Sequence, residues 1–134
     1  MESGHVESIT ETCVVPVPMK EVFGFLSRIE NLPEWSTQFV RQLLVVDGKY
    51  KAVTPIGEVF IRLETNPDAG LINIYAGPTE EKMSPAYMRV IPISEASTGV
   101  IFTFFKWTGT DEADWKAYCK SIKIEVGNIY DRFS

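Results

Sequence analysis

The sequence predicts an α+β fold, a curved antiparallel sheet of about seven strands wrapped around one long C-terminal helix, with two short helices after the first strand. Three observations carry this prediction. Apolar residues recur at three- and four-residue spacing over 19–29, then alternate from Phe39 onward. Turn-forming residues punctuate the alternating region, most clearly at Asp47-Gly48 and Asn66-Pro67-Asp68-Ala69-Gly70. From Asp111 to the end, helical spacing returns behind an acidic start.

Each element follows in turn. Over residues 5–15, Ile9, Cys13 and Val15 share one parity and Thr10 and Thr12 the other, the period of a half-buried strand. Pro16 and Pro18 then end sheet pairing, and proline suits the first turn of a helix, where its missing N–H would be unpaired anyway. A helix over residues 19–29 puts Val22, Phe23, Leu26 and Ile29 on one stripe. In Asn31-Leu32-Pro33-Glu34-Trp35, proline biases Leu32 to an extended shape before a second short helical piece. Trp35 is expected to be a buried anchor there.

Residues 39–46 and 49–55 flank Asp47-Gly48, a pair that tolerates positive φ at both positions and so predicts a tight hairpin. In residues 58–65, Val59, Ile61 and Leu63 alternate with charged neighbours. Strands follow at 71–76, 87–93 and 100–107, with a loop at Gly77-Pro78 and a link over 94–99. Thr110 or Asp111 caps the final helix, whose first turn holds Glu112 and Asp114, the sign that the helix dipole favours. Trp115, Tyr118, Ile122, Val126, Ile129 and Phe133 share one face. A helix of this length reaches about 34 Å, enough to cross a domain, and Gly127 marks a bend or close contact within it.

One domain over residues 1–134 is expected, because a chain of this length buries roughly two thirds of its unfolded surface without staples. The apolar share of 45% and charged share of 23% are those of a globular chain, so neither disorder nor a fibrous repeat is indicated. A net charge of -5 with no basic run argues against nucleic-acid binding. No apolar stretch approaches the roughly 20 residues of a membrane span, and the first residues lack a secretory pattern, so cytoplasmic residence is the expectation. Cys13 and Cys119 have neither zinc-knuckle nor redox-pair spacing and read as reduced, buried thiols. With His5 as the sole histidine, no metal site and no cofactor are expected.

The order strand, two short helices, six strands, long helix is that of the helix-grip arrangement, in which the last helix lies along the concave face of a curved sheet. The stretch Val14-Val15-Pro16-Val17-Pro18-Met19-Lys20-Glu21-Val22-Phe23-Gly24-Phe25-Leu26, followed by Asn31-Leu32-Pro33-Glu34-Trp35, resembles the opening of SRPBCC proteins, the START, pollen-allergen and polyketide-cyclase-like superfamily. The match in sequence is concentrated in this opening, and the element order extends it along the chain. The resemblance implies a pocket for a small hydrophobic molecule (a lipid, sterol, quinone, polyketide or plant hormone) between sheet and helix. Only some members catalyse a reaction, and fold alone selects none.

On that implication, strand parity assigns Tyr50, Ala52, Thr54, Val59, Ile61, Leu63, Phe102 and Phe104 to the pocket, and the last helix adds Tyr118, Ile122 and Val126. Each side chain alone reads equally well as core. The polar candidates are Glu11, Tyr50, Tyr75, Tyr87 and Arg89. Glu11 shares the inward parity of Ile9 and Cys13, and beside Arg89 it would orient a ligand or exchange a proton; a strand-end carboxylate facing water, or in a structural ion pair, is the alternative. No nucleophilic triad and no catalytic residue is assigned. The leading expectation is a binder or carrier of a small hydrophobic molecule. A cyclase-, dehydratase- or hydrolase-type enzyme and a protein-interaction module remain open beside it, and a homodimer is compatible with each.

Overall fold

The computed structural model describes residues 7–134. One antiparallel sheet carries seven strands, β1 (Ser8–Val15), β2 (Gln42–Val46), β3 (Lys49–Thr54), β4 (Gly57–Asn66), β5 (Leu71–Thr79), β6 (Lys82–Ser94) and β7 (Ser97–Phe105), in the order β1-β7-β6-β5-β4-β3-β2. Helices α1 (Met19–Leu26) and α2 (Leu32–Trp35), with a 3-10 turn between them, join β1 to β2, and α3 (Glu112–Phe133) follows β7. Strands β2 to β7 meander, and β1 closes on β7 from Ser8↔Phe105 to Val15↔Thr98. The expected sheet and long helix are thus present. His5 and the rest of the first strand expected before residue 7 lie outside the described residues.

Local chemistry accounts for the main elements. In β1 the inward row ends on fully buried Val15, while Thr10, Thr12 and Val14 are exposed. Asp47 and Gly48 both take positive φ, 53° and 77°, which locks Val46 against Lys49 in the β2–β3 hairpin. Asp111 caps α3 by accepting the Asp114 N–H at 2.8 Å, and the helix runs unbroken through Gly127.

Four expectations need correction. The first helix ends at Leu26 rather than near residue 29, because Asn31 Nδ2 donates to the Phe25 carbonyl (3.0 Å) and turns the chain away. Leu32 is helical, at φ -53° and ψ -44°, rather than extended; burying its side chain completely, with Pro33 in the first turn of α2, outweighs the bias that proline imposes on its predecessor. Gly77 and Pro78 continue β5 instead of forming a loop, with a bulge between Ala76 and Thr79, and β6 accordingly starts at Lys82. Both cysteines are free but only half-buried.

A Cβ on Gly77 would fall inside the contact radius of the Lys82 carbonyl oxygen. Gly77→Ala is therefore expected to destabilise the fold by roughly 1–3 kcal/mol, the usual range for forced overpacking. A urea midpoint equal to that of the parent chain would show that the bulge yields instead.

The core gathers Val22, Leu26, Leu32, Trp35 and Val40 from the α1–β2 region against Val15, Ile72, Met88, Val90 and Val100 of the sheet. Several contacts then hold the C-terminal half of α3 to the short helices. Asn128 Nδ2 donates to the Trp35 carbonyl (3.0 Å) and to Thr37 Oγ1 (2.9 Å). Arg132 donates to Glu34 (2.8 Å) and lies over the Phe25 ring, whose edge meets Phe133. Among the described residues none of these contacts reaches the N-terminal half of α3, which bridges the sheet with Trp115 stacked on Phe104.

Candidate functional site

Beneath that bridging half lies a cavity of about 260 Å³. Val59, Ile74, Phe102 and Phe104 line it from the sheet, and Ala117, Tyr118, Ser121 and Ile122 from α3. Space remains because the inward positions beside Ile61 and Ile74 on the neighbouring strands are Ala76 and Ala86, too short to reach the helix. Phe104 is the hub of the aromatic end, with ring centres 5.4 Å from Trp107, 5.6 Å from Tyr118 and 6.1 Å from Trp115. Ile56 and Trp107, which are 66% and 40% exposed, belong to both the lining and the surface and so mark the mouth.

One carboxylate is buried in this lining. Glu125 is 2% exposed, and its Oε2 accepts the backbone N–H groups of Gln38 and Phe39, each at 3.0 Å. No well-formed hydrogen bond to Oε1 is made among the described residues, and the Ser36 hydroxyl bears on the carboxylate from nearby. Removal from water pushes its pKa up to about 7, against the opposing pull of the Phe39 N–H, the Ser36 hydroxyl and the Gln38 N–H. At neutral pH this group is therefore both proton donor and proton acceptor.

Of the residues expected at the pocket, Val59, Phe102, Phe104, Tyr118 and Ile122 line the cavity. Ala52 and Ile61 face inward but are consumed by the core, and Leu63 is partly buried against it. Tyr50, also packed on the core, directs its hydroxyl to Glu30 Oε2 (2.7 Å). Thr54 donates to the Gly57 carbonyl and so stabilises the turn. Glu11 and Val126 line a separate open groove between β1 and α3, together with Lys123, Tyr130 and Asp131.

Tyr75, Tyr87 and Arg89 are corrections, because all three lie on the convex face. Tyr75 alternates with cavity-lining Ile74 and Ala76, and Tyr87 and Arg89 alternate with Ala86 and buried Met88. On that outer face Arg89 donates to Asn73 Oδ1 (3.0 Å), while Asn73 and Tyr75 both donate to Glu64 Oε1 (3.0 Å each). Arg62 covers the Tyr75 ring, and Tyr87 meets Phe105 edge-on. A Glu11–Arg89 pair is consequently not formed, since Glu11 faces the side of its cross-strand partner Phe102 and Arg89 the other. Glu125, which sequence reasoning missed, had a legible signal. It follows Tyr118 by seven residues and Ile122 by three, and precedes Ile129 by four, which places a carboxylate on the inner stripe of the helix.

No protein-family model matches the sequence, and no curated protein matches it. Solved structures do match its shape. The chain superposes on the Zhui aromatase/cyclase from Streptomyces sp. R1128 with a TM-score of 0.72 at 10% identity, covering 96% of this chain and 93% of that one. A START superfamily protein from Mycobacterium smegmatis matches with 0.67 at 11% identity, covering 94% and 96%. The Aha1 dimer from Colwellia psychrerythraea matches with 0.69 at 13% identity, covering 95% and 96%. At such identities the likeness establishes the fold, which is the SRPBCC-type helix-grip fold. Among the described residues no helix is long and apolar enough to cross a membrane.

Proposed function

We propose that this helix-grip chain binds a small, largely apolar molecule in the cavity beneath α3. The observation that carries the reading is the cavity itself, about 260 Å³ of space lined mostly by apolar side chains and holding one buried carboxylate. Small-molecule sites have that composition, an apolar wall with few placed polar groups. A dry apolar cavity of about 150 Å³ already accepts benzene, so this one has room for a larger ring system. Solved structures of the same fold include an aromatase/cyclase and a START superfamily protein, which agrees with a ligand-holding role.

A second reading, proton-transfer catalysis of the cyclase or dehydratase kind, is favoured by one observation. Glu125 faces the same space with a pKa raised to about 7, the poise suited to general acid–base work near neutrality.

The block test belongs at Ala86 rather than at Ala52, which is fully buried away from the cavity lining. A neutral environment-sensitive dye such as Nile red should brighten with the folded chain, and Ala86→Trp should weaken it by about tenfold or more, a difference of roughly 1.4 kcal/mol. Circular dichroism confirms that the variant is folded. Equal dye binding to both folded chains would remove the cavity from consideration. Native mass spectrometry of protein purified without denaturation would give the mass of any retained molecule.

A further inference from the structure

We propose that the molecule held in this cavity is an amine, its protonated nitrogen bonded to Glu125 Oε1 and its ring system seated among Phe104, Trp107 and Tyr118. The assignment rests on the binding reading of the cavity and adds the ligand class.

The carboxylate's own partners are all neutral. Two backbone N–H groups converge on Oε2, the Ser36 hydroxyl bears on the same carboxylate, and no cation of the described residues pairs with Glu125. A charge this far from water needs a partner, and neutral donors alone leave that place to a ligand. A cationic N–H donor answers the charge, whereas an alcohol does not.

The remainder of the lining does not oppose it. The other titratable groups on the cavity are Asp114 and Tyr118 from α3 and Lys82 from β6. The segment between α2 and β2 contributes Ser36, Gln38 and Phe39, while β4, β5 and β7 face the cavity with uncharged residues. Lys82 and Asp114 are both exposed and opposite in charge, so the buried end is governed by Glu125. An anionic ligand would bring like charge into a space of low dielectric. Aromatic faces, by contrast, attract a cation or stack on a ring. Tyr118 and Glu125 are seven residues apart on one helix, about 10 Å along its axis, the reach of a ring bearing a short aminoalkyl arm.

Three probes of one shape separate the possibilities: 2-naphthylmethylamine, 2-naphthylmethanol and 2-naphthoate, each titrated against the full chain by calorimetry. At about pH 8 Glu125 is mostly ionised and the amine still charged, so the amine should bind at least about tenfold tighter than the alcohol, and naphthoate weaker than both. At about pH 5.5 Glu125 is protonated, and the amine should fall to the level of the alcohol in the parent chain. Glu125→Gln at about pH 8 should likewise close the gap between amine and alcohol. Equal binding of amine and alcohol at about pH 8, tightest binding of naphthoate, or an amine preference that survives both acidification and Glu125→Gln would overturn the amine assignment while leaving the cavity reading intact. Failure of all three probes to bind would remove both.

Discussion

Trp35→Ala is expected to lower the unfolding free energy by about 3–5 kcal/mol, the range for deleting a large aromatic from a core. The indole is 1% exposed and meets Phe102 edge-to-face at 5.6 Å, and the backbone carbonyl of the same residue receives Asn128 from α3. It joins the short helices, a cavity-lining strand residue and the long helix at one point. Its Nε1 is buried with no hydrogen-bond partner among the described residues, which offsets part of what packing contributes. Trp35→Phe should therefore cost clearly less than Trp35→Ala. For a domain of this size the alanine variant should melt more than about 10 °C lower. A melting temperature within a degree or two of the parent would show that the ring bears no such load.

The second large effect concerns pH. Glu125 ionises near 4.5 when exposed to water, but burial pushes its pKa up to about 7 in the fold. The folded chain thus holds this proton more tightly than the unfolded chain. The resulting stabilisation is complete below about pH 4.5, declines as pH rises between the two values, and is gone above about pH 7. The gap corresponds to roughly 3 kcal/mol. Glu30 and Glu64 act in the opposite direction, their pKa values lowered chiefly by hydrogen bonds from Tyr50 and Asn73. The difference between the parent and Glu125→Gln therefore isolates the Glu125 contribution. Urea denaturation at about pH 5 and pH 8 should show Glu125→Gln gaining on the parent as pH rises. Parallel profiles for the two chains would mean that the carboxylate is ionised in the fold at little cost.

These two residues stand on opposite sides of what could be read from the sequence. Trp35 was legible as an anchor because its place follows from a proline-bearing short helix close to it in the chain. The β1 alternation, the Asp47-Gly48 hairpin and the capped α3 were legible for a similar reason, since each depends on φ preferences, side-chain parity or a cap within a few residues. The polar candidates Tyr75, Tyr87 and Arg89 have chemistry suited to a site, but the parity of their own strands places them on the convex face.

Periodicity by itself determined the element order, the strand faces and the helical stripe of this protein. Ala52 and Ala86 show its limit, as both point inward, yet only Ala86 borders open space. That difference depends on where α3 leaves the sheet, and its C-terminal half is held by contacts to Glu34, Trp35 and Thr37 more than 90 residues earlier in the chain. Glu125 likewise meets the amides of Gln38 and Phe39 across 87 and 86 residues. Only the tertiary structure could decide the cavity and its buried carboxylate, because the angle between one rod and a curved sheet is set by long-range packing, on which local backbone preferences are silent.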